Sequence, residues 1–181
     1  MFILIVGAGR VGSAVAKSAL AAGHVVSVLD EDPLSHERLD AGQSQNWEDA
    51  EGQFTVGTAL EIDALVQAGI ERADVFIAST AGDNTNLIIA QIAQKRFGVE
   101  KVIVRVMDPA RAAWYGEQGL HTISPTRHAI EMFERALQPE PESGVRERAV
   151  LPKIEVPAIG VHGQSFLVNA LEQPVVVILA L

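Results

Sequence analysis

The placing of three glycines in the first thirty residues constrains this chain most. Phe2–Val6 is a short, wholly apolar run, and Gly7-Ala8-Gly9-Arg10-Val11-Gly12 follows it directly. An Ala-rich stretch with helical character runs from about Ser13 to Ala22. Val25–Leu29 is a second apolar run, with Asp30 at its end. Strand, glycine turn, helix, strand and acid in this order form a dinucleotide-binding fingerprint in its proper context. Gly7 permits the sharp turn out of the strand. Gly9, lacking Cβ, lets a phosphate come close to the backbone. Gly12 lets the helix lie tight on the sheet. The helix start offers free N–H groups and a partial positive charge to phosphates. Asp30 stands eighteen residues after Gly12, placed to accept from a ribose diol and to repel a 2′-phosphate. That favours NAD(H) or an unmodified adenosine nucleotide over NADP(H). The alternative is a scaffold whose glycines serve packing alone.

Alternation of strand-like and helix-like segments continues to residue 137. Phe54–Val56 reads as the third strand and Ala59–Ala68 as a helix. Asp74–Ala78 is the fourth strand, followed by a helix from about Asn84 to Phe97 with apolar residues near helical spacing. Val102–Val106 is the fifth strand. Asp108 is a natural N-cap for a helix opening at Pro109. Thr122–Ser124 is a short sixth strand and Pro125–Leu137 a last helix. Strands joined by helical crossovers predict an α/β fold, a Rossmann-like, doubly wound, parallel six-stranded sheet ordered 3-2-1-4-5-6. Ligand is expected at the switch point above strands one and four.

The pattern then changes. Gln138–Gly144 is polar and proline-rich. The chain is therefore divided into a nucleotide-binding domain over 1–137, a linker over 138–149, and a small, β-containing C-terminal extension over 150–181. The extension is too small for a core of its own, and its last apolar run, Val175–Leu181, needs a partner.

Composition removes several function classes. The chain of 181 residues has no cysteine and a formal net charge of −9. Thiol chemistry is excluded, and an acidic balance argues against nucleic acid. No apolar run reaches the roughly 18–20 residues of a membrane span, so direct membrane insertion is not expected. With the first strand beginning at residue 2, no signal peptide is expected either.

Further candidates gather around the predicted crevice. Arg10 lies between the second and third glycines, within reach of phosphates or simply solvated. Glu31 follows Asp30. Gly57, Thr58 and Ala59 follow strand three, and Ser79 and Thr80 follow strand four. Arg105, near the end of strand five, either faces the phosphates or pairs with a neighbouring acid. Asp83 either caps its helix or touches ligand. The five histidines, His24, His36, His121, His128 and His162, show no tight metal-binding grouping with acids or with each other, and no metal site is expected. No nucleophile elbow or clear acid–base pair appears.

These residues together resemble the RCK/KTN (TrkA-N-like) family, cytosolic regulatory subunits of Trk and Ktr potassium-uptake systems. The resemblance rests on Gly7–Gly12, Gly23-His24, Asp30, Leu65–Ile70, Ala73-Asp74, Ala78 with Thr80, Asp83 with Asn86, Val102–Pro109 and the stretch from Gly119 to Pro125. It implies that NAD(H) or ATP/ADP changes the shape of a ring of such domains, a homodimer or larger, docked beneath a membrane-embedded potassium-translocating subunit. The protein would then be cytoplasmic and peripheral to the inner face of the membrane. By the same resemblance Gly7, Gly9, Arg10 and Val11, with Ala8 between them, hold phosphates; Asp30 holds the ribose; Thr58 and Thr80 line the adenosine pocket. Three departures stand out. Gly57-Thr58 replaces a frequent Gly-Asp. Ser124-Pro125-Thr126 stands where some members carry a cation-serving His-Pro-Glu. The segment from Ile154 resembles only the beginning of the family's C-terminal ligand domain. A small NAD-dependent oxidoreductase is the rival reading, as is a regulator of another cation channel. The oxidoreductase needs a substrate domain, and only forty-four residues follow residue 137.

Overall fold

The computed structural model describes residues 1–138. The expected linker beyond Gln138 and the extension over 150–181 lie outside the described residues. Six parallel strands form one sheet, β1 (Phe2–Val6), β2 (Val25–Asp30), β3 (Gln53–Val56), β4 (Val75–Ala78), β5 (Lys101–Arg105) and β6 (His121–Ile123). Their order is β3-β2-β1-β4-β5-β6, as the sequence predicts. The central register aligns Ile5 with Val28 on one side and Ile77 on the other.

The sheet is covered on both faces, which is why the two central strands, β1 and β4, are apolar throughout rather than alternating. Successive residues of β1 point to opposite faces. Leu4 and Val6 join a core with Leu29, Leu65, Phe76, Ile89 and Val104. Ile3 and Ile5 join a second core with Ala16, Val26, Val28, Leu39 and Trp47. The helices divide accordingly. α1 (Arg10–Ala21) and α2 (Glu37–Asp40) contribute to the second core. α3 (Ile62–Gln67), α4 (Asp83–Lys95) and α5 (Pro109–Glu117) contribute to the first. α6 (Pro125–Leu137) buries no residue.

Local signals explain most boundaries. Asp108 caps α5, accepting from Ala110 and Arg111 N–H groups, and Pro109 follows it. Ser124 caps α6 through Arg127 N–H. The third helix is shorter than expected: it starts at Ile62, and Thr58–Glu61 is a turn closed by Glu61 N–H on the Thr58 carbonyl at 2.9 Å. Asp83 is not the cap of α4. Gly82 holds that position, and the Asp83 carboxylate accepts from the N–H groups of Met107 and Asp108 instead. One helical segment was not anticipated. Asp32 accepts from Leu34 N–H and starts a 3-10 turn over Pro33–His36 that runs into α2. No helix among the described residues is long and apolar enough to cross a membrane.

Ile5 is fully buried on the central strand. Ile5→Val removes one methylene there and should cost about 0.5–1.5 kcal/mol. Urea unfolding should show a lower midpoint with an unchanged slope; an unchanged midpoint would contradict the packing described.

Candidate functional site

The glycine turn is built from three different constraints. Gly7 has φ +99° and its N–H donates to the Leu29 carbonyl at 2.8 Å. A Cβ on it would also stand 2.8 Å from the backbone of Ser79 and Thr80, so β4 closes on this turn. A Cβ on Gly12 would run into the Gly7 carbonyl, as tight helix packing requires. Gly9 is different, because a Cβ there would meet nothing within 4 Å. Packing within the described residues does not demand glycine at position 9; its bareness leaves space for something other than the protein. Gly9 is the N-cap of α1 and supplies no side-chain cap. The first amide of the helix with a partner is Ser13 N–H, on the Gly9 carbonyl. The preceding N–H groups are the ordinary orphan donors of a helix start.

Asp30 joins this turn to the end of β2. One carboxylate oxygen accepts from Ala8 N–H at 2.6 Å and the other from Asp32 N–H at 2.9 Å. Each oxygen retains acceptor capacity for a ribose hydroxyl. On the far side, Ser79 donates from Oγ to the carbonyls of Val6 and Gly7, fastening β4 to the glycine turn. Thr80 N–H and Oγ1 both donate to Asn86 Oδ1, at 2.9 and 2.7 Å.

These elements enclose an open cleft of about 580 Å³ at the ends of β1 and β4, within the usual size of a small-molecule site. Of the expected residues, Gly7, Gly9, Arg10, Asp30, Glu31, Thr58, Ala59, Ser79, Thr80 and Arg105 line it. Two do not. Ala8 is fully buried, and its N–H serves Asp30 rather than a phosphate. Val11 has an exposed side chain away from the lining, so only its backbone at the helix start bears on the site. Arg105 is half-buried and has no ion pair among the described residues; its Nε is buried without a partner. The alternative of a neighbouring acid is thereby not realised. Asp32, Ser35 and Arg38 also line the cleft, brought there by the unanticipated segment after β2. The charges are segregated along the chain: Asp30, Glu31 and Asp32 crowd the tip of β2, while Arg10, Arg38 and Arg105 come from two helices and β5.

One expectation about histidine is corrected. His36 Nε2 lies 2.6 Å from Glu48 Oε1 and its Nδ1 3.3 Å from Asp40 Oδ2. One ligand atom from each lies within 4.8 Å of the others. His36 and Asp40 are one helical turn apart, which the spacing shows; Glu48 arrives only through folding of the next loop. The acids meet opposite nitrogens of the ring, so the imidazole bridges them. A second concavity, about 310 Å³ along α4, is lined by Ile88, Gln91, Ile92, Lys95 and Arg96. It lies on a single helix and lacks the convergent backbone donors of the main cleft.

A model of the TrkA-N domain matches residues 3–125. Over 139 residues the chain is 40% identical to the Trk system potassium uptake protein TrkA of Streptomyces coelicolor, covering 77% of this chain and 59% of that protein. It is 30% identical over 138 residues to a TrkA homolog of Methanothermobacter thermautotrophicus, covering 76% and 60%. The chain thus spans about three-fifths of the length of these relatives. Among solved structures, the TrkA-N domain of the inner membrane protein ybaL from Escherichia coli superposes with a TM-score of 0.64 at 19% identity, covering 76% of this chain and 96% of that one. The GsuK channel bound to NAD superposes at 0.59 and 20% identity, covering 74% and 22%. GsuK bound to ADP does so at 0.61 and 20%, covering 76% and 34%. At these identities the structures attest the fold. The sheet order, the glycine turn and the family match together establish that this chain belongs to the TrkA-N family.

Proposed function

We propose that this protein binds NAD(H) or ATP/ADP in the cleft and acts as the cytoplasmic regulatory subunit of a potassium-uptake system. Nucleotide binding would alter its conformation and, through it, a membrane-embedded potassium-translocating subunit. The observation that carries the binding step is the empty approach at Gly9. An uncapped helix start faces it, with Asp30 holding acceptor capacity on one side and, on the other, the guanidinium of Arg105, which has no ion pair among the described residues. Phosphates suit the helix start and the arginines, and a ribose diol suits Asp30. Relatives named as potassium uptake proteins support the regulatory role, and a channel of the same fold solved with NAD and with ADP supports the ligand class. The cleft has the features of a binding site, so the role proposed is sensing without turnover.

α6 supports self-assembly. Ile130, Phe133 and Leu137 stand on it with exposures of 47, 73 and 84%. An apolar stripe of this kind is covered in most soluble proteins, and two-fold pairing is the commonest closed arrangement. We assign it to contact with a second copy, in a homodimer or a larger ring.

Three outcomes follow. Gly9→Val should abolish NADH and ADP binding in calorimetry while costing no more than about 1 kcal/mol of stability; wild-type affinity in this variant would contradict the site. NADPH should bind about tenfold or more weakly than NADH, because its 2′-phosphate meets Asp30, Glu31 and Asp32; equal binding would remove that role from Asp30. Light scattering at micromolar concentration should give a dimer or larger, and a folded monomer would refute the assembly.

A further inference from the structure

Asn86 is fully buried on α4. Its amide is saturated. Oδ1 accepts from Thr80 N–H and Thr80 Oγ1, and Nδ2 donates to the Thr80 carbonyl and the Arg105 carbonyl, each at 3.0 Å. One side chain therefore holds the loop after β4 and the end of β5, the two places from which Thr80 and Arg105 reach the cleft. Asparagine alone fits this pattern at this length. Aspartate has no donors for the carbonyls, and leucine would take the Asn86 partner from the Thr80 N–H and from the Thr80 and Arg105 carbonyls. Asp83, one turn earlier on α4, ties the next residues of the same strand end through Met107 and Asp108 N–H. Arg105 has no ion pair of its own among the described residues. Its backbone is held by the pairing of β5 with β6 and, at its carbonyl, by Asn86 in the first turn of α4.

We propose that Asn86 is a positioning residue for nucleotide binding, setting the β4–β5 half of the cleft as one unit. The proposal rests on the nucleotide reading above. The other half, with Asp30, Glu31, Gly57 and Thr58, belongs to β2, β3 and the loops after them and makes no bond to Asn86. Thr80 thereby leaves the adenosine pocket that the resemblance implies and stands with Arg105 on the β4–β5 side, so that a ligand confined to Asp30, Thr58 and the helix start is indifferent to Asn86. A ligand reaching across the switch point depends on it. AMP is the short probe and NADH the long one.

Calorimetry on the full chain should show Asn86→Ala weakening NADH by about tenfold or more and AMP by less than about threefold, as the loss of several buried hydrogen bonds on one side requires. Cooperative unfolding should persist. NADH affinity unchanged in the folded variant, or equal losses for NADH and AMP, would overturn the proposal. Asn86→Asp decides the matter if the alanine variant does not fold. Its ionised carboxylate faces two carbonyls, whereas the protonated acid can donate to one. Asn86→Asp should therefore also weaken NADH by about tenfold or more and AMP by less than about threefold, and equal losses for the two probes would overturn the assignment. Failure of the unsubstituted chain to bind either probe would instead sink the nucleotide reading itself.

Discussion

The turn at Gly7 has to pass between the ends of β2 and β4, and the rest of the site depends on that passage. Its N–H is taken by Leu29 of β2. Its missing Cβ admits the backbone of Ser79 and Thr80. The Ser79 hydroxyl then closes the seam by donating to Val6 and Gly7 carbonyls. A side chain at position 7 would separate β1 from β4 where the strand order reverses, and that reversal creates the crevice. α1 begins where the turn ends, so the same constraint aims the helix start into the cleft.

Two side chains then organise the halves of the cleft from opposite directions. Asp30 binds the glycine turn to the tip of β2 through two backbone amides. Asn86 binds the loop after β4 to the end of β5 through four hydrogen bonds. Each ties together the ends of two neighbouring strands, β1 with β2 and β4 with β5, so the site is stiff where it meets backbone. Arg10 and Arg38 on the helices are exposed and are held by no ion pair among the described residues. A rigid floor with exposed cations at its rim suits a ligand that carries its charge on phosphates and its specificity on a ribose.

Much of this is legible in the chain because the signals are local. Gly7–Gly12 with Asp30, and Asp108 with Pro109, report on backbone within a few residues, and the strand order follows from parallel crossovers. What escaped was contact made at a distance or by short elements. Pro33–Asp40 has too few apolar residues for a periodic pattern, so Ser35 and Arg38 could not be placed in the cleft. The buried network of Asn86 joins residues nineteen apart, and no spacing rule announces it. Ala8 misled because its position in the glycine loop suggests a phosphate donor, whereas Asp30 takes its N–H across twenty-two residues. Glu48 likewise finds His36 only after the intervening loop folds.

The central claim is that the cleft at the glycine turn binds an adenine nucleotide, NAD(H) or ATP/ADP. Titrating the full chain with NADH and with ADP, each against an excess of AMP, tests it most directly. Saturable binding of at least one of them, weakened by AMP in competition for the same cleft, is the predicted result. No saturable binding of either, or binding that excess AMP leaves unchanged, would contradict the account.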